Sequence, residues 1–181
     1  MTETTRHSPG IPPTDRRAGQ SGFTVMELLL AIAVLAIVTT LAVPAFTQFI
    51  ANNRLAAEAN EMVASFQFAR SEALKRGVPV QVCPSTDGNA CGGGWSDGWI
   101  AVADPGDDQE VLRVWTAPGD DFQFTPANGT VGFEPDGFAT GAALQFDLQL
   151  AGATDGNERR IFVERTGRVA SCRFGETGCP G

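Results

Sequence analysis

The chain opens with a polar stretch and then changes to an uninterrupted apolar run. Residues 28–46 read LLLAIAVLAIVTTLAVPAF, in which only Thr39 and Thr40 are polar and no residue is charged. A run of this length is what a helix needs to cross the hydrocarbon core of a bilayer. We therefore predict a transmembrane helix that occupies residues 23–50.

Beyond the apolar run, apolar residues recur at the spacing of three and four that is typical of one face of a helix. Gly77 and Pro79 then end the pattern, because glycine commonly follows the last helical turn and proline cannot continue it. We predict an amphipathic helix over 51–76, and we interpret its apolar stripe as domain core. The stripe consists of Leu55, Ala59, Met62, Val63, Phe66, Ala69, Ala73 and Leu74.

From residue 78 onward the pattern changes to short apolar runs separated by Gly, Pro, Asp and Asn, which is typical of strands joined by turns. In residues 144–150 leucine and phenylalanine alternate with glutamine and aspartate, as in a strand with one buried face. Arg165-Thr166-Gly167 is interpreted as a hairpin turn. The predicted strands are 78–83, 99–103, 110–115, 122–124, 130–134, 143–150, 159–164 and 167–172.

This order of elements predicts the fold class α+β. A long N-terminal helix, half transmembrane and half amphipathic, would pack its apolar stripe on an antiparallel β-sheet. The predicted organisation is a segment 1–22, a transmembrane helix 23–50, and a domain 51–181 that contains the helix 51–76 and the β-rich residues 78–181.

Composition argues against an enzyme. His7 is the only histidine and lies in the first segment, so His-dependent triads and His-ligated zinc are excluded from the rest of the chain. No cofactor is predicted. The net charge of −8 also argues against a general coating of nucleic acid. The acidity is concentrated in residues 77–156, which hold twelve acidic residues and one basic residue, Arg113.

Arg16 and Arg17 precede the apolar run, so the positive-inside tendency predicts that the N-terminus stays in the cytoplasm and the rest of the chain is exported. An ordinary secretory signal has its small-residue cleavage site after the apolar run. Here the small residue, Gly22, lies before it. Cleavage after Gly22 would leave the apolar helix on the mature protein, and a plain single-pass anchor without processing is the alternative.

Glu27 lies at the start of the apolar segment, where a carboxylate costs about 2.5–3.5 kcal/mol without a partner. No lysine or arginine lies in the same segment. A cut between Gly22 and Phe23 would free the α-amine of Phe23 one helical turn away. We interpret the pair as a docking device, in which the amine of one subunit meets Glu27 of its neighbour.

The sequence G-F-T-V-M-E at 22–27, with its basic leader and apolar helix, resembles the class III signal of type IV pilins and pseudopilins. The resemblance implies that prepilin peptidase cuts after Gly22 and methylates Phe23. It also implies that Glu27 acts in assembly with other pilins through the N-terminal helix. Pro44 matches the position where pilins commonly carry a helix-kinking proline.

Four cysteines in an exported chain whose only histidine, His7, lies in the first segment indicate disulfides rather than a metal site. Three pairings exist, and local pairing is favoured because each bond would close a Gly/Pro-rich loop. The local pairs are Cys83–Cys91 and Cys172–Cys179. A zinc site built from the four thiolates is the rival, but no C-x2-C spacing is present.

The segment 80–104 resembles the C-P-S-x-D-G…C…W-x-x-G-W-I-x-x-x-D pattern of the GspH/FimT group of minor pilins and pseudopilins. Trp95 and Trp99 are interpreted as core residues rather than ligand platforms. The matching positions are Cys83, Pro84, Asp87, Gly88, Cys91, Trp95, Gly98, Trp99 and Asp104.

Two binding hypotheses are weaker. Asp104, Asp107 and Asp108 offer oxygen ligands for calcium, but D-P-G is also an ordinary turn signal and no metal site is predicted. The C-terminal residues 159–173 carry five arginines, and some FimT-like pilins bind DNA through a G-R-x-R motif. Arg168 and Arg173 are the candidate DNA contacts, although Ala170 replaces the second arginine of that motif. Charges on the wet face of a strand are the favoured interpretation.

The expected function is that of a minor pilin or pseudopilin that is processed by prepilin peptidase and assembles into or primes a type IV pilus. The first alternative is a GspH-like pseudopilin of a type II secretion system. The second alternative is a DNA-binding minor pilin that serves natural transformation.

Overall fold

The computed structural model describes residues 22–106, 109–126, 129–141, 144–151, 158–177 and 179. The N-terminal helix, α1, spans Val25–Arg76. The chain divides into two units between Val43 and Pro44, so each unit contains part of α1. Gly77 follows α1 in the left-handed conformation (φ +71°), and its N–H donates to the carbonyl of Ala73, which ends the helix where the sequence predicts.

In the described residues eight antiparallel strands follow α1, and they form two four-stranded sheets instead of the single sheet that the sequence predicts. The first sheet has the order β3-β2-β1-β5 and the second has the order β4-β6-β7-β8. The strands are β1 (Val80–Pro84), β2 (Gly98–Ala103), β3 (Glu110–Thr116), β4 (Phe122–Thr125), β5 (Val131–Phe133), β6 (Leu144–Leu150), β7 (Glu158–Val163) and β8 (Val169–Arg173). The fold class α+β and all eight predicted strands are confirmed.

The core lies where α1 and the two sheets meet. Phe66 of α1 packs against Phe146 of β6, with ring centroids 5.7 Å apart, and against Trp95, 6.1 Å away. Trp99 of β2 packs against Phe124 of β4 at 6.4 Å. Trp95 and Trp99 are completely buried, which confirms their interpretation as core residues. Large buried aromatic side chains of this kind dominate the packing energy of a small domain.

The predicted stripe of α1 is correct except at its end. Leu74 lies in the last turn of the helix and is 53% exposed, although the turn around Gly137 approaches it. Two polar residues are buried instead. Ser65 donates to the carbonyl of Met62, and Glu72 accepts hydrogen bonds from Lys75 (3.2 Å) and Arg76 (2.6 Å), which satisfies both side chains locally.

Arg70 connects α1 to two turns, one that follows a strand of the first sheet and one within the second sheet. Its Nε donates to the carbonyl of Gly137, in the turn after β5, at 2.9 Å. Its Nη2 donates to the carbonyl of Thr166, in the hairpin between β7 and β8, at 3.1 Å. A planar guanidinium presents several donors in fixed directions, so a single side chain can hold both turns against the helix.

The turn held by Arg70 gives a stability prediction. A Cβ at Gly167 (φ +76°) would overlap the carbonyl oxygen of Gly137 and lie 2.6 Å from Nε of Arg70, whereas a Cβ at Gly77 (φ +71°) would meet nothing within 4 Å. We expect Gly77→Ala to cost about 1 kcal/mol for the left-handed conformation alone. Gly167→Ala should cost about 3 kcal/mol, because steric overlap and loss of the Arg70 contacts add to that strain.

Thermal unfolding of the full chain in detergent measures both variants under the same conditions. Equal losses of stability in the two variants would show that the contact between Arg70 and the two turns contributes nothing.

Candidate functional site

The N-terminal end of α1 is built by a cap that sequence analysis missed. Gly22, Phe23 and Thr24 precede the helix, and Oγ1 of Thr24 accepts a hydrogen bond from the N–H of Glu27 at 3.2 Å. The spacing T-V-M-E is the capping-box signature, which could have located this start from the sequence. The bond between Gly22 and Phe23 therefore lies outside the helix and is exposed.

Nothing in the described part of the chain requires glycine at position 22. A Cβ built on Gly22 would meet nothing within 4 Å, and its backbone does not adopt the left-handed conformation that favours glycine.

Glu27 lies in the first turn of α1 and is exposed. The free N–H groups at a helix N-terminus carry partial positive charge, which favours a carboxylate at this position. Within the described residues Glu27 has no ion pair, and it is the only charged residue between Arg17 and Arg54.

The apolar half of α1 is exposed along its whole length. Every residue of 22–50 is exposed, and Phe23 reaches 85%. The helix is long and apolar enough to cross a membrane. Thr39 and Thr40 do not interrupt this surface, because each hydroxyl donates to the carbonyl three residues earlier. Pro44, the predicted kink position, lies inside the helix at the boundary between the two units.

Both local disulfides are present. Cys83, at the end of β1, is bonded to Cys91, and Cys172, on β8, is bonded to Cys179. Cys83 is completely buried, so the first disulfide ties an exposed loop to the core.

Asp87 organises the loop that the first disulfide closes. Its Oδ1 accepts the backbone N–H groups of Asn89 (2.9 Å) and Ala90 (3.1 Å) and the hydroxyl of Ser85 (3.2 Å). These bonds, led by the N–H of Asn89, hold the pKa of the Asp87 carboxyl below its usual value. The aspartate of the C-P-S-x-D-G pattern is therefore a loop anchor.

The C-terminal loop covers an arginine on the outer face of the second sheet. Arg160 donates to both carboxylate oxygens of Asp147, at 2.7 and 3.0 Å, and the ring of Phe174 lies 4.7 Å from its guanidinium carbon. Asp147 neutralises the charge of Arg160 in a bidentate pair, and the ring of Phe174 covers the guanidinium, so Arg160 has a structural role.

The two candidate DNA contacts are not brought together. Arg168 lies in the β7–β8 hairpin, and its Nη1 donates to Glu164 at 3.1 Å, whereas Arg173 is exposed at the other end of β8. The calcium hypothesis falls largely outside the described residues, since Asp107 and Asp108 are not among them. Asp104 itself is exposed in a turn with φ +50°.

Comparison with known proteins identifies the family. The model of the family described as "Type II transport protein GspH" matches residues 58–167, which is more than half of the chain. The model described as "Prokaryotic N-terminal methylation motif" matches residues 17–43, which include Gly22, Phe23 and Glu27. The chain belongs to the GspH family.

Solved structures agree with this assignment. The type IV minor pilin FimU of Pseudomonas aeruginosa (strain PAO1) superposes with a TM-score of 0.54 at 23% identity, and the match covers 67% of this chain and 90% of FimU. The minor pseudopilin EpsH of the type 2 secretion system of Vibrio cholerae gives a TM-score of 0.52 at 14% identity, covering 68% and 99%. At these identities the likeness establishes the fold.

The GspH assignment and the methylation motif make this chain a minor pilin or pseudopilin, a structural subunit with a membrane-anchoring helix. The residues that the sequence patterns single out fall into two groups. Gly22, Phe23 and Glu27 lie in the range matched by the methylation-motif model. The Cys83–Cys91 loop, Trp95 and Trp99 lie in the range matched by the GspH model, and both tryptophans are buried in its core.

Glu58 of this GspH domain is a half-buried carboxylate without a complete set of partners. Its Oε1 is buried and makes no hydrogen bond with any residue that the structure describes. Burial, and then the charge of Glu61, raises the pKa of Glu58 from 4.5 to about 7. Arg54, one turn earlier, forms an ion pair with Asp121 at 2.7 Å instead.

The raised pKa of Glu58 predicts how stability changes with pH. Between about pH 4.5 and about 7 the folded state holds a proton that the unfolded state releases, so the free energy of unfolding should fall as pH rises through this window. Glu58→Gln should remove this component. Chemical unfolding of both proteins at about pH 5 and about pH 8 measures the difference.

Glu61→Gln is the matched control, because it removes only the smaller cause and should keep most of the pH dependence. If the free energy of unfolding changed equally with pH in wild type and in Glu58→Gln, that result would contradict the raised pKa of Glu58.

Proposed function

We propose that the chain is cleaved after Gly22 by prepilin peptidase, which also methylates the freed amine of Phe23. The accessible, non-helical Gly22–Phe23 bond and the absence of any local need for glycine support this cleavage site. After cleavage the leader 1–22 is gone, residues 23–50 form the assembly helix, and residues 51–181 form the exported domain.

In the assembled filament the new amine of Phe23 pairs with Glu27 of an adjoining subunit. The observation that carries this proposal is a carboxylate with no ion-pair partner among the described residues, at the start of an apolar helix that is exposed throughout. A charge in an apolar environment is stabilised only when it is paired. The helix surface over 28–50 then packs against the helices of other pilins.

The chain enters the inner membrane once, with its N-terminus in the cytoplasm and the domain in the periplasm. Arg16 and Arg17 on the N-terminal side of the apolar run support this orientation. The two disulfides support it as well, because such bonds persist in the oxidising periplasm.

After this processing and membrane insertion, the chain acts as a minor pilin that primes or joins a type IV pilus. The superposition on FimU, described as a type IV minor pilin, supports this role.

A pseudopilin of a type II secretion system is the second candidate. It is supported by the description of the family model as a type II transport protein and by the superposition on EpsH. The same processing and the same helix packing serve both roles.

Mass spectrometry of the protein extracted from membranes tests the processing step. We expect the mature chain to begin at N-methylated Phe23, and we expect Gly22→Val to keep the leader because a branched side chain would block the peptidase. Gly92→Val is the control, because Gly92 is exposed, lacks the left-handed conformation and has open space around its Cβ position, so this variant should be processed normally. An intact Met1 end in wild type, or cleavage after the apolar run, would contradict the proposal.

Deletion of the gene distinguishes the two roles. Loss of surface pili with normal secretion of exoproteins supports the pilus role, and the reverse result supports the secretion role. Loss of neither would contradict the assembly function as a whole.

A further inference from the structure

Two arginines of the second sheet face each other without a counter-charge. Arg159 on β7 and Arg173 on β8 are direct cross-strand partners. Directly opposite residues have Cβ atoms about 5 Å apart, and like charges in that arrangement destabilise a sheet. Within the described residues neither guanidinium has an ion pair, in contrast to Arg160 and Arg168.

The pair lies on the face of the sheet that packs toward the core. Arg159 is opposite Leu148, which is completely buried, and side chains of direct partners share a face. Arg159 is half-buried and Arg173 is exposed, so the charges are at the margin of the core and remain accessible. Glu176 is near, but its carboxylate accepts the backbone N–H of Arg173 at 3.4 Å and not the guanidinium.

The pair is also reachable from outside the molecule. β8 is an edge strand of its sheet, with β7 as its only strand neighbour among the described residues. Exposed edges are where another chain can approach closely. Two guanidinium groups side by side match the two oxygens of a carboxylate or a phosphate.

Charge complementarity favours protein carboxylates over phosphates. Residues 77–156 of this chain hold twelve acidic residues and one basic residue, and Glu134 and Asp136 are exposed in the turn after β5. A second copy of this chain therefore offers the carboxylates that the pair lacks. The net charge of −8 repels a polyanion such as DNA.

We propose that Arg159 and Arg173 form an intersubunit contact that binds carboxylate groups on a second copy of this chain. This inference rests on the proposed assembly function and adds a second contact, in the exported domain, to the one at Glu27. The repulsion between the two arginines in the free subunit is relieved when the neighbour docks.

Two readouts on the full chain test the contact. The first is the amount of protein in sheared filaments, measured by quantitative mass spectrometry for wild type and for the double variant Arg159→Gln/Arg173→Gln. We expect incorporation to fall at least about tenfold, as for the loss of one well-formed ion pair. Arg165→Gln is the control, because it removes a positive charge at an exposed position in the β7–β8 turn. This variant should incorporate normally.

The second readout is the melting temperature of the same variants in detergent. A purely structural role would lower it, whereas relief of repulsion leaves it equal or higher. Normal incorporation of the double variant, or a lowered melting temperature that accounts for poor incorporation, would overturn the proposal. Binding of duplex DNA that depends on the two arginines, together with normal incorporation of the double variant, would also overturn the proposal and would assign the arginines to DNA.

Absence of wild-type protein from every filament would instead refute the proposed function, so the two failures are distinguishable.

Discussion

A single carboxylate at the head of an apolar helix is the constraint on which the organisation of this protein depends. Between Arg17 and Arg54 the chain has no charge except Glu27. The helix can hold this carboxylate at its first turn, because Thr24 caps the N-terminus and the helix dipole favours an anion there. Among the described residues Glu27 has no ion-pair partner, and this is the observation behind the proposed contact with another chain.

The residues after 50 form a domain that is organised around a small core. The core lies between α1 and the two sheets, and aromatic side chains from all three pack against one another in it. Each disulfide fixes a loop with little secondary structure of its own. Arg70 adds a link between the helix and the distant turns of both sheets. These devices let short strands and glycine-rich loops hold one geometry.

Features with a local cause could be predicted from the sequence. The limits of the amphipathic helix follow from periodicity and from Gly77, and the eight strands follow from short apolar runs between turn residues. Pairing of cysteines seven and eight residues apart likewise needs only a closed loop. Thr24 was missed although its signal, T-V-M-E, is local.

Features that depend on distant contacts could not be predicted. The division into two sheets is set by β1, which pairs with β5 as well as with its neighbour β2, and nothing in either strand encodes that choice. The burial of Glu72, the exposure of Leu74 and the unpaired Oε1 of Glu58 depend on what the fold places beside each residue. The opposition of Arg159 and Arg173 exists only in the register of β7 and β8.

Filament incorporation of Glu27→Gln tests the central claim most directly, because glutamine keeps the size and polarity of the side chain and removes only the charge. Membrane insertion and the N-terminus at Phe23 are checked in the same sample, so that a failure of assembly is separated from a failure of processing. The account predicts a correctly processed, membrane-bound protein that is absent from sheared filaments. Incorporation at the wild-type level would contradict it.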